Sequence, residues 1–134
     1  MSSFDDIDQY LMPDYQVDYW SDYAIDYATE LINQLSNDDW ALLEKTWPDR
    51  NIKWQIRLAD AAFGSDKSRA INLLSQMLKS ADDRVALAAV ESLDARDDAR
   101  TLNPSLRPYL ERLLTHVEGG YRTMVEDLIA RIQS

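Results

Sequence analysis

Residues 14–27 read DYQVDYWSDYAIDY, the pair Asp-Tyr four times at four-residue spacing. Asp14, Asp18, Asp22 and Asp26 continue into Glu30 at the same interval, and Tyr15, Tyr19, Tyr23 and Tyr27 run beside them. Four residues is close to one α-helical turn, so on a helix the stretch makes an acidic row next to an aromatic row. Acids at i and i+4 repel by roughly 0.2–0.5 kcal/mol per pair on an exposed helix. Five acids make four such pairs, and residues 1–44 contain no Lys or Arg to relieve them. A stable fold does not need this arrangement; recognition of a cation does. Carboxylates accept charge-assisted hydrogen bonds from Arg and Lys, tyrosine faces take cation–π contact, and Tyr supplies rigid interface area with a polar tip. The nine residues from Asp14 to Glu30 named above are the candidate partner-binding site. The competing interpretation is a solvated helix face edged by boundary tyrosines.

The rest of the chain offers little else that could do chemistry. His116 is the only histidine, near a predicted helix C-terminus where partial positive charge is favourable, with no Ser or Asp constellation recognisable around it. There is no Cys, which removes disulfides, thiolate metal sites and thiol catalysis. FDDID (4–8) and DARDD (94–98) lack the glycine turn and terminal Glu of a calcium loop, so no metal is assigned. No P-loop, G-x-G-x-x-G, G-x-S-x-G or H-E-x-x-H occurs. No catalytic residue and no cofactor are therefore assigned, and the chain is not expected to be an enzyme. Trp20, Trp40, Trp47 and Trp54 cluster early and predict a Trp-rich core, with Trp47, before Pro48, the most exposed of them. Lys53, Arg57, Arg84 and Arg122 fall on second helices of predicted pairs. Salt bridges to Asp60, Glu91 and Glu126 are the plain expectation for them; a mixed-charge groove completing a partner site is the alternative.

At 134 residues the chain can form one domain with a real core. With 46% hydrophobic residues it is not disordered by composition. Three Gly and four Pro leave few tight turns for an all-β fold. Residues 1–44 hold eleven acids and no base, and the remainder holds fourteen bases and thirteen acids. The net charge of −10 is thus −11 in the first part and +1 in the rest. Such a field repels nucleic acid and anionic membranes and attracts a basic partner. MSSFDDIDQY does not read as a secretory signal, and no stretch approaches a membrane span, so a cytoplasmic protein that is monomeric when free is expected.

The elements that must position the row are helical. Residues 1–12 read as a weakly ordered arm with Phe4, Ile7, Tyr10 and Leu11 as docking points. The first helix is predicted to begin between Asp14 and Asp22 and to end near Leu35, with Val17, Trp20, Ala24, Ala28, Leu31 and Leu35 inward. At about 100° per residue, Asp18, Asp22, Asp26 and Glu30 sweep the opposite face, Tyr19 and Tyr23 lie exposed, and Tyr27 reaches the boundary. Ser36 or Asn37 caps a second helix carrying Trp40, Leu43 and Trp47, which Pro48 ends. Further helices follow over 51–63 (Trp54, Leu58, Ala61, Ala62, then Gly64), 65–78 (Ile71, Leu74, Leu78) and 84–93 (Val85, Ala88, Ala89, Leu93). After a polar connection at 94–103, two more run from Pro104 to Val117 (Leu106, Leu110, Leu113, Leu114) and over 121–132 (Met124, Val125, Leu128, Ile132), separated by Gly119-Gly120. The total is seven.

Helix pairs at 38–63, 67–93 and 104–132 form a weak repeat, and units of that kind bury their faces by stacking into an α-solenoid. RAINLLSQMLKSADDRVALAAVESL (69–93) resembles a HEAT repeat, with its short Asp-containing turn and second helix of the V-x-x-A-A-x-x-x-L type. The fold class expected is all-α, a short HEAT-like α-solenoid of about seven helices in antiparallel pairs within one domain. Across roughly residues 20–95, the acidic helix, SNDDWALLEKTWPDR, WQIRLADAAFG and the HEAT-like pair together resemble the HEAT-like immunity proteins of bacterial polymorphic toxin and contact-dependent inhibition systems. That resemblance implies a protein that binds a cognate toxin domain and occludes its active site. Many such toxins are nucleases with basic substrate sites, which the acidic row would suit. The alternative is a HEAT-like adaptor or chaperone for a basic host protein.

Overall fold

The computed structural model describes residues 3–65, 68–96 and 102–132. Eight helices occur among them: α1 (Ser3–Tyr10), α2 (17–33), α3 (Asn37–Thr46), α4 (Ile52–Phe63), α5 (Arg69–Leu78), α6 (Asp83–Ala95), α7 (Arg107–Leu114) and α8 (Gly119–Ile132). There is no strand among the described residues. Residues 97–101 of the expected polar connection, and 66–67 near the expected start of the 65–78 helix, lie outside the described residues.

The count differs from seven because the supposed arm is a helix. Phe4, Ile7 and Leu11 are buried, one helical turn apart, and Tyr10 packs half-buried beside them. Asp5 and Asp6 fall in the first turn of α1, where negative charge opposes the helix dipole favourably. The far end of α1 is tied down by Asp8, which accepts two hydrogen bonds from Arg50 at 2.8 and 2.9 Å. The Trp54 indole adds a third link, donating to the Asp8 carbonyl at 3.0 Å.

Within α2, residues Trp20–Ala24 form a π-helical turn, in which the Ile25 N–H bonds to the Trp20 carbonyl five residues back. In a regular α-helix a four-residue step overshoots a full turn by about 40°. The wider turn absorbs that overshoot, so residues four apart stay above one another. Trp20, Ala24 and Ala28 accordingly all face the core. Val17, expected in the same stripe, is 79% exposed. The tyrosines obey the same geometry. Tyr27, expected to drift to the boundary, is 50% exposed, the same as Tyr19 at 51%, with Tyr23 at 68% between them.

Downstream, Ser36 acts as read, and Asn51 supplies a cap that the pattern does not single out. Ser36 caps α3 in a reciprocal capping box with Asp39, and Asn51 caps α4 by accepting from the Trp54 N–H at 2.9 Å. All four tryptophans are buried, including Trp47. Gly64 follows α4 in a right-handed conformation, so its value is not torsional freedom. A Cβ there would come within 3.0 Å of Thr29 Cγ2, and the Thr29 hydroxyl donates to the Ala61 carbonyl at 2.9 Å. The missing side chain lets α2 lie close against α4. Gly119 is the position that does require glycine, with a φ of +62° where the chain turns into α8.

Packing follows a simple succession. α2 packs on α4, α4 on α6 and α6 on α8, while α1 lies against α2 and α3, α5 against α6 and α4, and α7 against α8. Ala59, Ala61 and Ala62 of α4 and Ala86, Ala88 and Ala89 of α6 are buried, and such small residues allow close helix approach. The Ser92 hydroxyl reaches the Ala59 carbonyl at 2.7 Å across that contact. Leu73, Leu74, Met77 and Leu78 of α5 are fully buried beside it. Each such side chain contributes on the order of 1.5–3 kcal/mol.

Arginines join neighbouring helices at helix C-termini, where carbonyls lack helical partners. Arg96 donates to the Ala62 and Ser65 carbonyls at 2.8 Å, closing the end of α4. Arg131 of α8 donates to the Leu93 and Asp94 carbonyls at 3.1 and 2.9 Å, at the end of α6. Arg57 of α4 does the same for the segment after α1, donating to the Leu11 carbonyl at 3.3 Å and to the Pro13 carbonyl.

Candidate functional site

The helix α2 carries two different flanks separated by an acidic ridge. Asp18, Asp22, Asp26 and Glu30 are all exposed along the ridge. Among the described residues no Lys or Arg pairs with any of the four. Asp14 does not belong to the row. It lies in the connection before α2, 3.1 Å from Lys53 Nζ and 3.9 Å from Arg57 Nη2. Five acids on one helix thus become four, with three repulsive i,i+4 pairs left unrelieved.

On one flank the tyrosines form a continuous ladder. Tyr15 also precedes the helix and folds back, its hydroxyl donating to the Tyr10 carbonyl at 2.7 Å. Its ring stacks on Tyr19, with centroids 5.9 Å apart and planes at 20°, and on Trp20 at 5.8 Å and 27°. Tyr19 continues to Tyr23 at 5.7 Å. In the other direction Tyr10 lies 5.7 Å from Tyr15 and meets Tyr27 edge-on at 4.8 Å. The order in space is therefore Tyr27, Tyr10, Tyr15, Tyr19, Tyr23.

Tyr10 was expected only as a docking point. It is the rung that joins Tyr27 to the rest, and nothing in the four-residue spacing of α2 points to it. Burial first, then the neighbouring Tyr15 and Tyr19, push its hydroxyl up to about 12. Burial also raises that of Tyr15. Beneath the ladder, the Arg57 guanidinium sits 5.1 Å from the Tyr15 ring centroid and 5.8 Å from that of Trp20. This buried cation fixes the aromatic surface from below.

The other flank of α2 opens onto a groove against α4 and α6. A cleft of about 290 Å³ is lined by Trp20, Ser21, Ile25, Asp60, Phe63 and Glu91 among others. Two adjoining clefts, one reaching Val17 and Ile56 and one reaching Asp26 and Thr29, share Asp60 with it. The Trp20 indole donates to the Asp60 carboxylate at 3.3 Å. Burial pushes the Asp60 carboxyl up to about 6; the Trp20 hydrogen bond opposes this and the Glu91 charge adds to it. Glu91 in turn holds the Tyr121 hydroxyl of α8, raising its pKa first through that hydrogen bond and then through burial.

The basic residues expected to neutralise these acids are placed elsewhere. Lys53 and Arg57 pair with Asp14, and Arg84 pairs with Asp82 at 2.8 Å. Of the expected bridges only Arg122 to Glu126 forms, at 3.9 Å. Among the described residues no Lys or Arg pairs with Asp60 or Glu91. His116 has a carboxylate neighbour after all: its Nδ1 lies 2.8 Å from Asp83, which also meets Arg112 at 3.4 Å. The Thr115 hydroxyl beside it is committed to the Arg112 carbonyl at 2.7 Å. The arrangement is that of a surface ion cluster joining α7 to α6.

No group of three His, Cys, Asp or Glu among the described residues could hold a metal ion. Nor is any helix among them long and apolar enough to cross a membrane. Comparisons with protein-family models, with curated proteins and with solved structures return no match.

Proposed function

We propose that this chain is an inhibitory binding protein of the immunity type, neutralising a basic protein toxin, a nuclease domain being the partner best suited to its charge. In this reading the acids of α2 take the place of nucleic-acid phosphates in charge, and the chain covers the toxin's substrate site without performing catalysis. The single observation that carries it is the α2 surface: four exposed acids with no Lys or Arg paired to them among the described residues, beside a ladder of stacked tyrosines. Uncompensated repulsion on an exposed helix has no folding benefit, whereas opposite a basic surface it becomes attraction and speeds encounter. Tyrosines already stacked on one another lose little conformational freedom on binding, which favours a tight interface. The fold belonging to this reading is a short HEAT-like α-solenoid in antiparallel pairs. The succession of α2, α4, α6 and α8, with arginines closing the joints, supports it.

The test is co-expression with the product of the adjacent gene, with growth and pull-down as readouts. An immunity protein rescues growth from that product, and its Asp18→Asn, Asp22→Asn, Asp26→Asn triple variant rescues less well. If cells tolerate the adjacent product without this chain, the immunity reading fails and a general adaptor for basic proteins takes its place.

A further inference from the structure

The groove on the opposite flank of α2 has the composition of a docking slot whose occupant can be specified by charge. Its walls are largely apolar: Val17 and Ile56 along one stretch, the Trp20 ring in the middle, and Ile25 with Phe63, 47% exposed, at the far side. Its floor is a carboxylate pair, Asp60 and Glu91, drawn from α4 and α6. A buried or half-buried carboxylate is normally matched by a cation. Here the nearby Lys53 and Arg57 are already turned toward Asp14, and Asp60 has the Trp20 indole N–H as its hydrogen-bond donor. Lys53 and Arg57 line the Val17 end of the groove, but among the described residues no Lys or Arg pairs with Asp60 or Glu91, so the Trp20–Phe63 end presents negative charge between aromatic and aliphatic walls.

We propose that this groove docks a segment of the protein partner that presents an arginine between apolar side chains, the guanidinium seated between Asp60 and Glu91. Arginine fits better than lysine on two grounds. Its planar fork can donate to two carboxylates at once, and its weakly hydrated face can lie against an aromatic ring such as Phe63. The desolvation that raises the Asp60 carboxyl is offset when a cation enters, so the slot gains electrostatically by being filled. The partner would then straddle α2, meeting the tyrosine ladder on one flank and inserting an arginine on the other, with the acidic ridge between.

This inference rests on the reading of the chain as a binder of a basic protein, and its test is made without that partner so that the two can fail separately. The probe is the blocked tripeptide acetyl-Leu-Arg-Leu-amide, with its citrulline counterpart as the neutral isostere. Each is titrated into the ¹⁵N-labelled chain while the indole Nε1–H resonance of Trp20 and the amides of Ser21, Ile25 and Phe63 are followed. The expected result is saturable shifts at these positions with the arginine peptide and at least tenfold weaker binding of the citrulline peptide. Asp60→Asn, which keeps an acceptor for Trp20, and Glu91→Gln should each weaken the arginine peptide several-fold while leaving the remaining spectrum in place. Equal shifts with both peptides, shifts confined to Asp18, Asp22, Asp26 and Glu30, or no shift at Trp20 would each overturn the proposal. Rescue from the adjacent gene product with no arginine binding in the groove would defeat this inference alone; arginine binding without rescue would defeat the immunity reading alone.

Discussion

The Trp20 indole N–H donates to the Asp60 carboxylate across 3.3 Å, joining α2 to α4 inside a groove where no base neutralises that carboxylate among the described residues. A π-helical turn brings Trp20 onto the same face as Ala24 and Ala28. The contact therefore depends on a local backbone irregularity and on a tertiary partner forty residues away.

That relationship makes stability depend on pH. Burial raises the Asp60 carboxyl from an ordinary value of 3.8 to about 6. Its folded pKa exceeds its unfolded one, so its contribution is fully present below about 4 and is lost as pH rises through about 6. Glu91 from α6 faces the same groove and its charge strengthens the effect, while Tyr121 from α8 hydrogen-bonds Glu91. Asp60→Asn should therefore stabilise the protein at pH 7 by about 1–3 kcal/mol and make little difference at pH 4. Urea unfolding of both proteins at the two pH values reads this directly. A gain of equal size at both would contradict it.

Close approach of α2 and α4 at Gly64 gives a second expectation. An alanine Cβ would meet Thr29 Cγ2 at 3.0 Å, and Thr29 is β-branched and tied to Ala61 through its hydroxyl. Gly64→Ala should cost about 1 kcal/mol despite alanine's better helix propensity. Removing the obstructing methyl with Thr29→Ser should return part of that cost in a double-mutant cycle. Thermal or urea melts of the four proteins supply the numbers, and strict additivity would show that the contact is not the cause.

Arg57 supports the aromatic surface from beneath. It donates to the Leu11 and Pro13 carbonyls and lies against the rings of Tyr15 and Trp20. Arg57→Met keeps the aliphatic bulk but leaves those carbonyls without their donor, a loss of about 2–4 kcal/mol. Near-ultraviolet circular dichroism should report a loosened tyrosine ladder in this variant even at temperatures where far-ultraviolet signal shows the helices intact. Lysine should not substitute, because it cannot present the same planar donor fork.

Legibility in the sequence followed the range of the physics involved. α3, α6 and the apolar stripes of Val85, Ala88, Ala89 and Leu93 were readable because capping and 3.6-residue periodicity are local. α1 was not, because FDDID looks solvated until Arg50 and Trp54, more than forty residues on, supply partners for Asp8. The exposure of Val17 and Tyr27 departs from the sequence pattern for a different reason: a uniform 100° per residue cannot anticipate a π-turn at Trp20–Ala24. The acidic row itself was legible from Asp18 to Glu30. Its first member, Asp14, was not, since Lys53 claims it only in three dimensions. Tyr10 reads only as a docking point and Asp60 only as a salt-bridge partner; the ladder through Tyr10 and the apolar-walled groove at Asp60 are not legible for the same reason, both being assembled from separate helices.

The central claim, that the α2 surface recognises a basic protein, is tested most directly by association kinetics against the adjacent gene product at several salt concentrations. The wild-type chain should associate fast at low salt and slow markedly as salt rises, because electrostatic steering is screened. The Asp18→Asn, Asp22→Asn, Asp26→Asn variant should associate more slowly at low salt and show a shallower salt dependence, with the dissociation rate changed less. Association rates and salt dependence identical to wild type in that variant would contradict the account.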